Sequence, residues 1–212
     1  LSTDTVASQF AGGAWASGGS LNTARGENFG NGVGTQTAAA VAGGATVPGT
    51  SAAHEQYDGS SWTETTDINT SRGGSWADGT QSAFWMAGGA PPYTTNTETW
   101  NGSAWTEVNN LSTARAYGGG TTGRSSTAGL VVSGFATTAN SNAVESWDGT
   151  NWTEIAEVNS ARRKAAGFGT STAAFAAGAA PDGGNPGLTD RVEEWNGSSW
   201  TETTEINSGR GA

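Results

Sequence analysis

Thr97-Glu98-Thr99-Trp100-Asn101-Gly102-Ser103-Ala104-Trp105-Thr106-Glu107, followed shortly by Leu111-Ser112-Thr113-Ala114-Arg115, is one copy of a phrase that the chain writes five times. Its first element is a pair of aromatics five positions apart: Phe10/Trp15, Tyr57/Trp62, Trp100/Trp105, Trp147/Trp152 and Trp195/Trp200. The second members stand 47, 43, 47 and 48 residues apart. Six residues beyond each of them begins the second element: Leu21 to Arg25, Ile68 to Arg72, Leu111 to Arg115, Val158 to Arg162 and Ile206 to Arg210. Two independent motifs held in one phase over five copies define a tandem repeat.

Within a unit, strands can be placed by their local chemistry. Gly-rich sequence follows each Arg, then a small-apolar run closed by glycine: Ala38 to Gly44, Ala83 to Gly89, Leu130 to Gly134 and Ala173 to Gly178. Short apolar runs bounded by Gly fit strands buried on both faces. A polar loop comes next, with Pro91 and Pro92 in one copy and Pro181 and Pro186 in another. An alternating segment then puts Glu98 and Trp100 on one parity. Asp58-Gly59, Asn101-Gly102, Asp148-Gly149 and Asn196-Gly197 tolerate the positive φ of tight hairpins and join two antiparallel strands. The closing strand carries Glu64, Glu107, Glu154 or Glu202, expected to point away from its Trp. Four short strands in 43 to 48 residues make a propeller blade. The Gly and Ala of the second strand are expected to let neighbouring blades crowd together near the central axis.

Composition narrows the function classes. Gly numbers 34, yet ten Trp, six Phe and three Tyr at regular intervals indicate buried aromatics rather than a disordered linker. Cys is absent and His54 is the single histidine, which leaves almost no ligands for zinc or haem. No cofactor or metal is expected. A net charge of −10 works against nucleic acid, whose phosphates require Lys and Arg. No apolar run is long enough to span a bilayer, so no membrane insertion is expected.

The repeat resembles the kelch family on four features: Leu111 to Arg115, Gly88-Gly89, Tyr57-Asp58 and Trp62. The resemblance implies an all-β, kelch-like β-propeller with four-stranded antiparallel blades. Departures fall at Gly134-Phe135, at Gly178-Ala179 and at Phe10-Ala11. The Trp195 to Thr201 phrase and the Leu21 to Arg25 phrase resemble repeats in large structural proteins of marine bacteriophages. That second resemblance implies a virion component.

One domain over 1–212 is expected, with whole repeats at 21–67, 68–110, 111–157 and 158–205 and a split repeat made of 206–212 with 1–20. A five-bladed ring closed by pairing the two ends is expected, since it leaves no open sheet edge at the seam. The seam blade would lack its apolar second strand. An incomplete blade, a stretch of a longer array and a neighbouring molecule filling the gap are the alternatives.

Arg25, Arg72, Arg115, Arg162 and Arg210 keep their identity in every copy. They are read as scaffold, each bonding backbone carbonyls or a neighbouring blade's carboxylate. Trp15, Trp62, Trp105, Trp152 and Trp200 are read as core. The carboxylates Glu55, Glu98, Glu145 and Glu193, with the closing-strand set, could be imagined as glycosidase pairs. They recur once per blade, however, whereas a catalytic pair should break symmetry, so a solvated outer strand is expected. His54 has no nucleophile motif beside it and Gly118 to Gly120 lacks a phosphate-loop ending, so no catalytic residue is expected. Asn101, Asn151 and Asn196 fit a glycosylation sequon, but turn chemistry explains them.

Residues that depart from the repeat carry the functional signal: His54, Trp76, Trp85, Tyr93, Tyr117, Arg124, Arg163, Lys164 and Phe168. Trp76, Tyr93, Tyr117, Arg124 and Phe168 are the candidate ligand-binding set, with Trp76, Tyr117 and Phe168 expected near a propeller face. The expected function is a non-enzymatic structural or adhesion module of a virion, of tail or fibre type, in a virion or extracellular setting. Other virion or surface proteins, host-surface glycans and further copies of the chain are the expected partners. The alternative is a lectin-like propeller that gains from several similar pockets.

Overall fold

Each repeat builds its sheet from the aromatic hairpin. In the computed structural model, which describes residues 18–26, 32–181 and 188–209, Trp100 lies across from Trp105 and Glu98 across from Glu107. The connection is a loop of residues 101–104 in which Asn101 Oδ1 accepts the backbone N–H groups of Ser103 (3.0 Å) and Ala104 (2.9 Å). Asp58, Asp148 and Asn196 do the same. Gly59, Gly102, Gly149 and Gly197 follow with φ near 95° (99, 96, 95 and 94°). Only the glycine takes positive φ; the Asn or Asp acts through its side-chain oxygen.

Four such units form four four-stranded antiparallel sheets in sequence order. Blade 1 contains β1 (Gly32–Thr35), β2 (Ala38–Ala42), β3 (His54–Tyr57) and β4 (Trp62–Glu64). Blade 2 contains β5 (Trp76–Thr80), β6 (Ala83–Ala87), β7 (Thr97–Trp100) and β8 (Trp105–Val108). After β9 (Arg115–Ala116), blade 3 uses β10 (Gly119–Gly120), β11 (Gly129–Val132), β13 (Val144–Trp147) and β14 (Trp152–Ile155), while β12 (Phe135–Ala136) pairs with β9. After β15 (Arg162–Arg163), blade 4 uses β16 (Ala166–Thr170), β17 (Ala173–Ala177), β19 (Val192–Trp195) and β20 (Trp200–Glu202), while β18 (Ala180–Pro181) pairs with β15. The molecule is an all-β propeller with no helix among the described residues. They form four blades; the split fifth lies outside the described residues except for 18–20 and 206–209.

Blades stack face to face through apolar side chains. Ala40 and Ala42 of blade 1 meet Phe84, Met86, Trp100 and Trp105 of blade 2. Trp76, Trp85 and Ala87 on the other face of blade 2 meet Val131 and Trp147 of blade 3. Leu130, Val132 and Val144 then meet Ala174, Ala176, Trp195 and Trp200 of blade 4. Trp105, Trp147, Trp195 and Trp200 are buried, as expected of a core; Trp62 and Trp152 are half-buried, and Trp15 lies outside the described residues. The tightest approach is between first strands: a Cβ on Gly167 would stand 2.2 Å from the Gly120 backbone nitrogen. Glycine there lets β10 and β16 converge, so the crowding expected of second strands falls on first strands.

Two expectations about the carboxylates are corrected. With a side-chain period of two, Glu107 lies on the same face as Trp105, not the opposite one. Glu55, Glu98, Glu145 and Glu193 are buried rather than solvated, for the reason given next.

Candidate functional site

The third-strand glutamates are buried because each is clasped by the motif that opens its own repeat. Arg72 pairs with Glu98 at 2.5 Å, Arg115 with Glu145 at 2.9 Å and Arg162 with Glu193 at 2.8 Å; Arg25 pairs with Glu55 in the same way. The second oxygen accepts backbone N–H groups from the same motif: Asn69 (2.8 Å), Ser112 (2.8 Å) and Asn159 (2.7 Å). The Asn69 and Asn159 amides add a second bond, at 2.7 Å each. Burial works to raise Glu55, yet the N–H groups of Asn22 and Thr23 and the Arg25 guanidinium hold it below its ordinary value. Burial pulls the Arg115 and Arg162 guanidinium groups downward, against the charges of Glu145 and Glu193. The partner is the carboxylate of the same repeat, not of a neighbouring blade. The link between blades runs through the arginine backbone: Gly44 N–H donates to the Arg72 carbonyl, Gly89 N–H to that of Arg115 and Gly134 N–H to that of Arg162, all at 2.9 Å. Arg210 lies outside the described residues.

That backbone link explains the glycine doublets. Gly43-Gly44 and Gly88-Gly89 hold φ of 68 and 108° and of 63 and 119°. The equivalent pair in blade 3 is Ser133-Gly134 (56 and 109°), one residue earlier than the sequence alignment placed it; in blade 4 it is Gly178-Ala179 (64 and 137°). The residue after each doublet pairs with the residue after each Arg: Ala45 with Gly26, Ala90 with Gly73, Phe135 with Ala116 and Ala180 with Arg163. One residue further, Gly74, Tyr117 and Lys164 all take left-handed φ (63, 61 and 60°). Tyr117 N–H donates to the Gly74 carbonyl at 2.8 Å, and Lys164 N–H to the Tyr117 carbonyl at 2.5 Å. These residues form a backbone belt where the chain enters the first strands of blades 2, 3 and 4.

After the Arg and after the doublet the other copies carry Gly or Ala (Gly26, Gly73 and Ala116; Ala45, Ala90 and Ala180), and blade 2 carries Gly74 at the next step. Blades 3 and 4 instead bring in Tyr117, Phe135, Arg163 and Lys164. With Tyr93 from the β6–β7 loop of blade 2 they line a recess of about 270 Å³. Arg163 lies over the Phe135 ring with its guanidinium carbon 4.7 Å from the centroid. The Tyr93 and Phe135 centroids are 5.8 Å apart at 49°. Burial pushes the Tyr93 hydroxyl above its ordinary pKa, partly offset by Arg163. Gly74 admits the Tyr117 ring, since a Cβ there would stand 2.3 Å from Cε1. Two non-glycine residues at left-handed φ cost stability, of order 1–3 kcal/mol each, and such outliers point towards function.

Of the five candidate ligand residues, Tyr93 and Tyr117 meet in this recess. Trp76 is only 2 % exposed and lies between blades 2 and 3. Phe168 is 45 % exposed but stacks on Phe175 (5.3 Å, 22°), on the face of blade 4 turned away from blade 3. Arg124 is exposed in the β10–β11 loop, where its N–H binds Asp78 Oδ1 at 2.8 Å. Burial raises the Asp78 pKa, against bonds from Thr121, Arg124, Gly79 and Gly123. Arg163 and Lys164 stood out as departures from the repeat without being placed in the binding set. Phe135 entered the sequence reading only within the Gly134-Phe135 departure and not in the binding set, because the doublet was aligned one residue late. His54 is fully buried among Phe84, Trp100 and Trp105 and accepts from Thr65 Oγ1 or donates to it at 2.9 Å. Burial lowers its pKa to about 4.

Fold and recess together define a β-propeller with internally paired repeat charges and one asymmetric aromatic-cationic recess. No protein-family model matches the chain, and no curated protein matches it.

Proposed function

We propose that the chain is a non-enzymatic adhesion or assembly module of a virion, of tail or fibre type, built on a kelch-like propeller. The observation that carries this reading is the separation of two residue sets. The Arg and Glu that recur in every described blade are paired with one another in the interior, where neither acid-base chemistry nor a ligand can use them. Five large side chains that differ between copies, Tyr93, Tyr117, Phe135, Arg163 and Lys164, gather instead around one recess where the chain enters the first strands of blades 3 and 4. That arrangement suits a surface that binds. The Arg-containing opening motif and the glycine pair that bonds to it support the kelch-like reading. The Trp195 to Thr201 and Leu21 to Arg25 phrases support the virion reading.

An antibody against the chain should label intact purified particles that carry its gene, seen by immunogold electron microscopy. Label confined to the cytoplasm of cells, with bare particles, overturns the proposal. A lectin-like reading is favoured specifically by the aromatics of the recess. Because that recess is made of residues that differ between copies, it argues for one pocket rather than several equivalent ones.

A further inference from the structure

We propose that the recess formed by Tyr93, Tyr117, Phe135, Arg163 and Lys164 binds a carboxylate-bearing sugar, a uronic or sialic acid type of residue. The inference rests on the reading of this surface as adhesive and names the ligand it takes. Charge is the first argument. The chain has nine cationic residues against 19 acidic ones. Arg25, Arg72, Arg115 and Arg162 are ion-paired inside. Arg191 lies by Glu202 at 4.0 Å and donates to Ser160 at 2.6 Å. Arg124 stands alone in the exposed β10–β11 loop, and Arg210 lies outside the described residues. Arg163 and Lys164 are adjacent and line one recess. In an acidic molecule, two neighbouring cations at the mouth of a recess mark a local site for an anion.

The second argument is what surrounds those cations. A bare anion site needs only donors, whereas here three aromatic rings share the wall. Arg163 lies over Phe135 in a cation–π contact, and a guanidinium is the side-chain group best matched to bidentate binding of a planar carboxylate. Ring faces pack against the C–H faces of a pyranose, and the tyrosine hydroxyls reach sugar hydroxyls. At about 270 Å³ the recess is at the lower edge of small-molecule pockets, room for a terminal sugar rather than a long peptide strand.

The third argument is backbone strain. The belt requires left-handed φ at this step, and blade 2 supplies Gly74. Blades 3 and 4 supply Tyr117 and Lys164 at φ of 61 and 60°, against a conformational penalty that glycine would avoid. Ser133 and Arg124 take the same conformation outside the recess, so the strain supports the site only together with the charges and rings beside it.

Titration calorimetry of the full chain with galacturonic acid and with N-acetylneuraminic acid tests the proposal, beside carboxyl-reduced galacturonic acid and a Glu-rich peptide. One of the two acidic sugars should bind with a Kd of about 1 mM, typical of a small shallow site. The reduced sugar should bind at least tenfold more weakly, and R163Q and Y93A should each weaken binding at least fivefold with unchanged unfolding midpoints. K164Q serves as a second charge variant should R163Q not fold. Failure of both acidic sugars to bind, equal affinity for the reduced sugar, or preference for the peptide overturns the proposal. Those outcomes leave particle labelling untouched. Absent labelling with intact sugar binding would instead sink the virion reading alone.

Discussion

Arg162 and Arg163 are neighbours in the chain and identical in chemistry, yet they do opposite things. Arg162 is 1 % exposed, ion-paired to Glu193 and held between blades 3 and 4. Arg163 points the other way, over Phe135 and into the recess. A β-strand sends successive side chains to opposite faces, so a two-residue strand, β15, divides scaffold from surface. The inward position has Arg in every described copy; the outward one has Gly26, Gly73, Ala116 and Arg163. Where the fold needs a residue, copies agree. Where only glycine or alanine is needed, a copy can add something else.

Breaking the inward side should have the largest effect. Arg115→Met leaves Glu145 buried without its cation, and an uncompensated buried charge of this kind costs about 3–5 kcal/mol. Urea unfolding followed by Trp fluorescence measures it. The double variant R115M/E145L should recover more than half of that loss, because both desolvated charges are gone. A single-variant loss below about 1 kcal/mol would mean the clasp is ornamental, and the contrast with Arg163 would collapse.

A second effect sharpens the contrast, because His54 differs between copies while lying inside. Thr97, Val144 and Val192 occupy its position in the other blades. Its pKa falls from 6.5 to about 4 through burial. The fold therefore holds it neutral, while the unfolded chain takes up a proton as pH falls through 6.5. Stability is lost between pH 6.5 and about 4 and retained above, by roughly 3 kcal/mol over the full window. His54→Val should flatten that part of the pH–stability curve. Identical slopes for the two proteins between pH 7 and 4.5 would show that the buried imidazole is not the cause.

The repeat, the four strands per unit and the aromatic hairpins were legible because period-two alternation and Asn-Gly or Asp-Gly turns act locally. The burial of Glu98 was not. Its partner Arg72 is 26 residues away, and alternation alone cannot distinguish a solvated acid from one clasped by a distant motif. The doublet of blade 3 was misplaced because glycine was sought where the backbone requires only left-handed φ, which Ser133 supplies. That one-residue slip concealed Phe135. Tyr93 and Tyr117 stood out as departures from the repeat. Trp76 did so equally, but it fills the space beside Gly118, Gly120 and Gly134 between two blades. Departure from a repeat marks both surface additions and compensating core substitutions, and only the packing separates them.

The smallest predicted effect is the most discriminating, because its sign differs. Lys164→Gly returns the belt position to the residue used at Gly74, with φ already at 60°. Relief of the left-handed penalty, about 1–2 kcal/mol, is offset in part by the greater unfolded freedom of glycine, roughly 0.5–1 kcal/mol. A net gain between zero and about 1.5 kcal/mol is expected, seen as a higher midpoint in thermal unfolding. Acidic-sugar binding should fall in the same variant. Stability gained with binding lost is the signature of a residue kept for its ligand. A clear loss of stability would place Lys164 with Arg162 as scaffold, and the division between the two sides of the strand would have to be drawn one residue earlier.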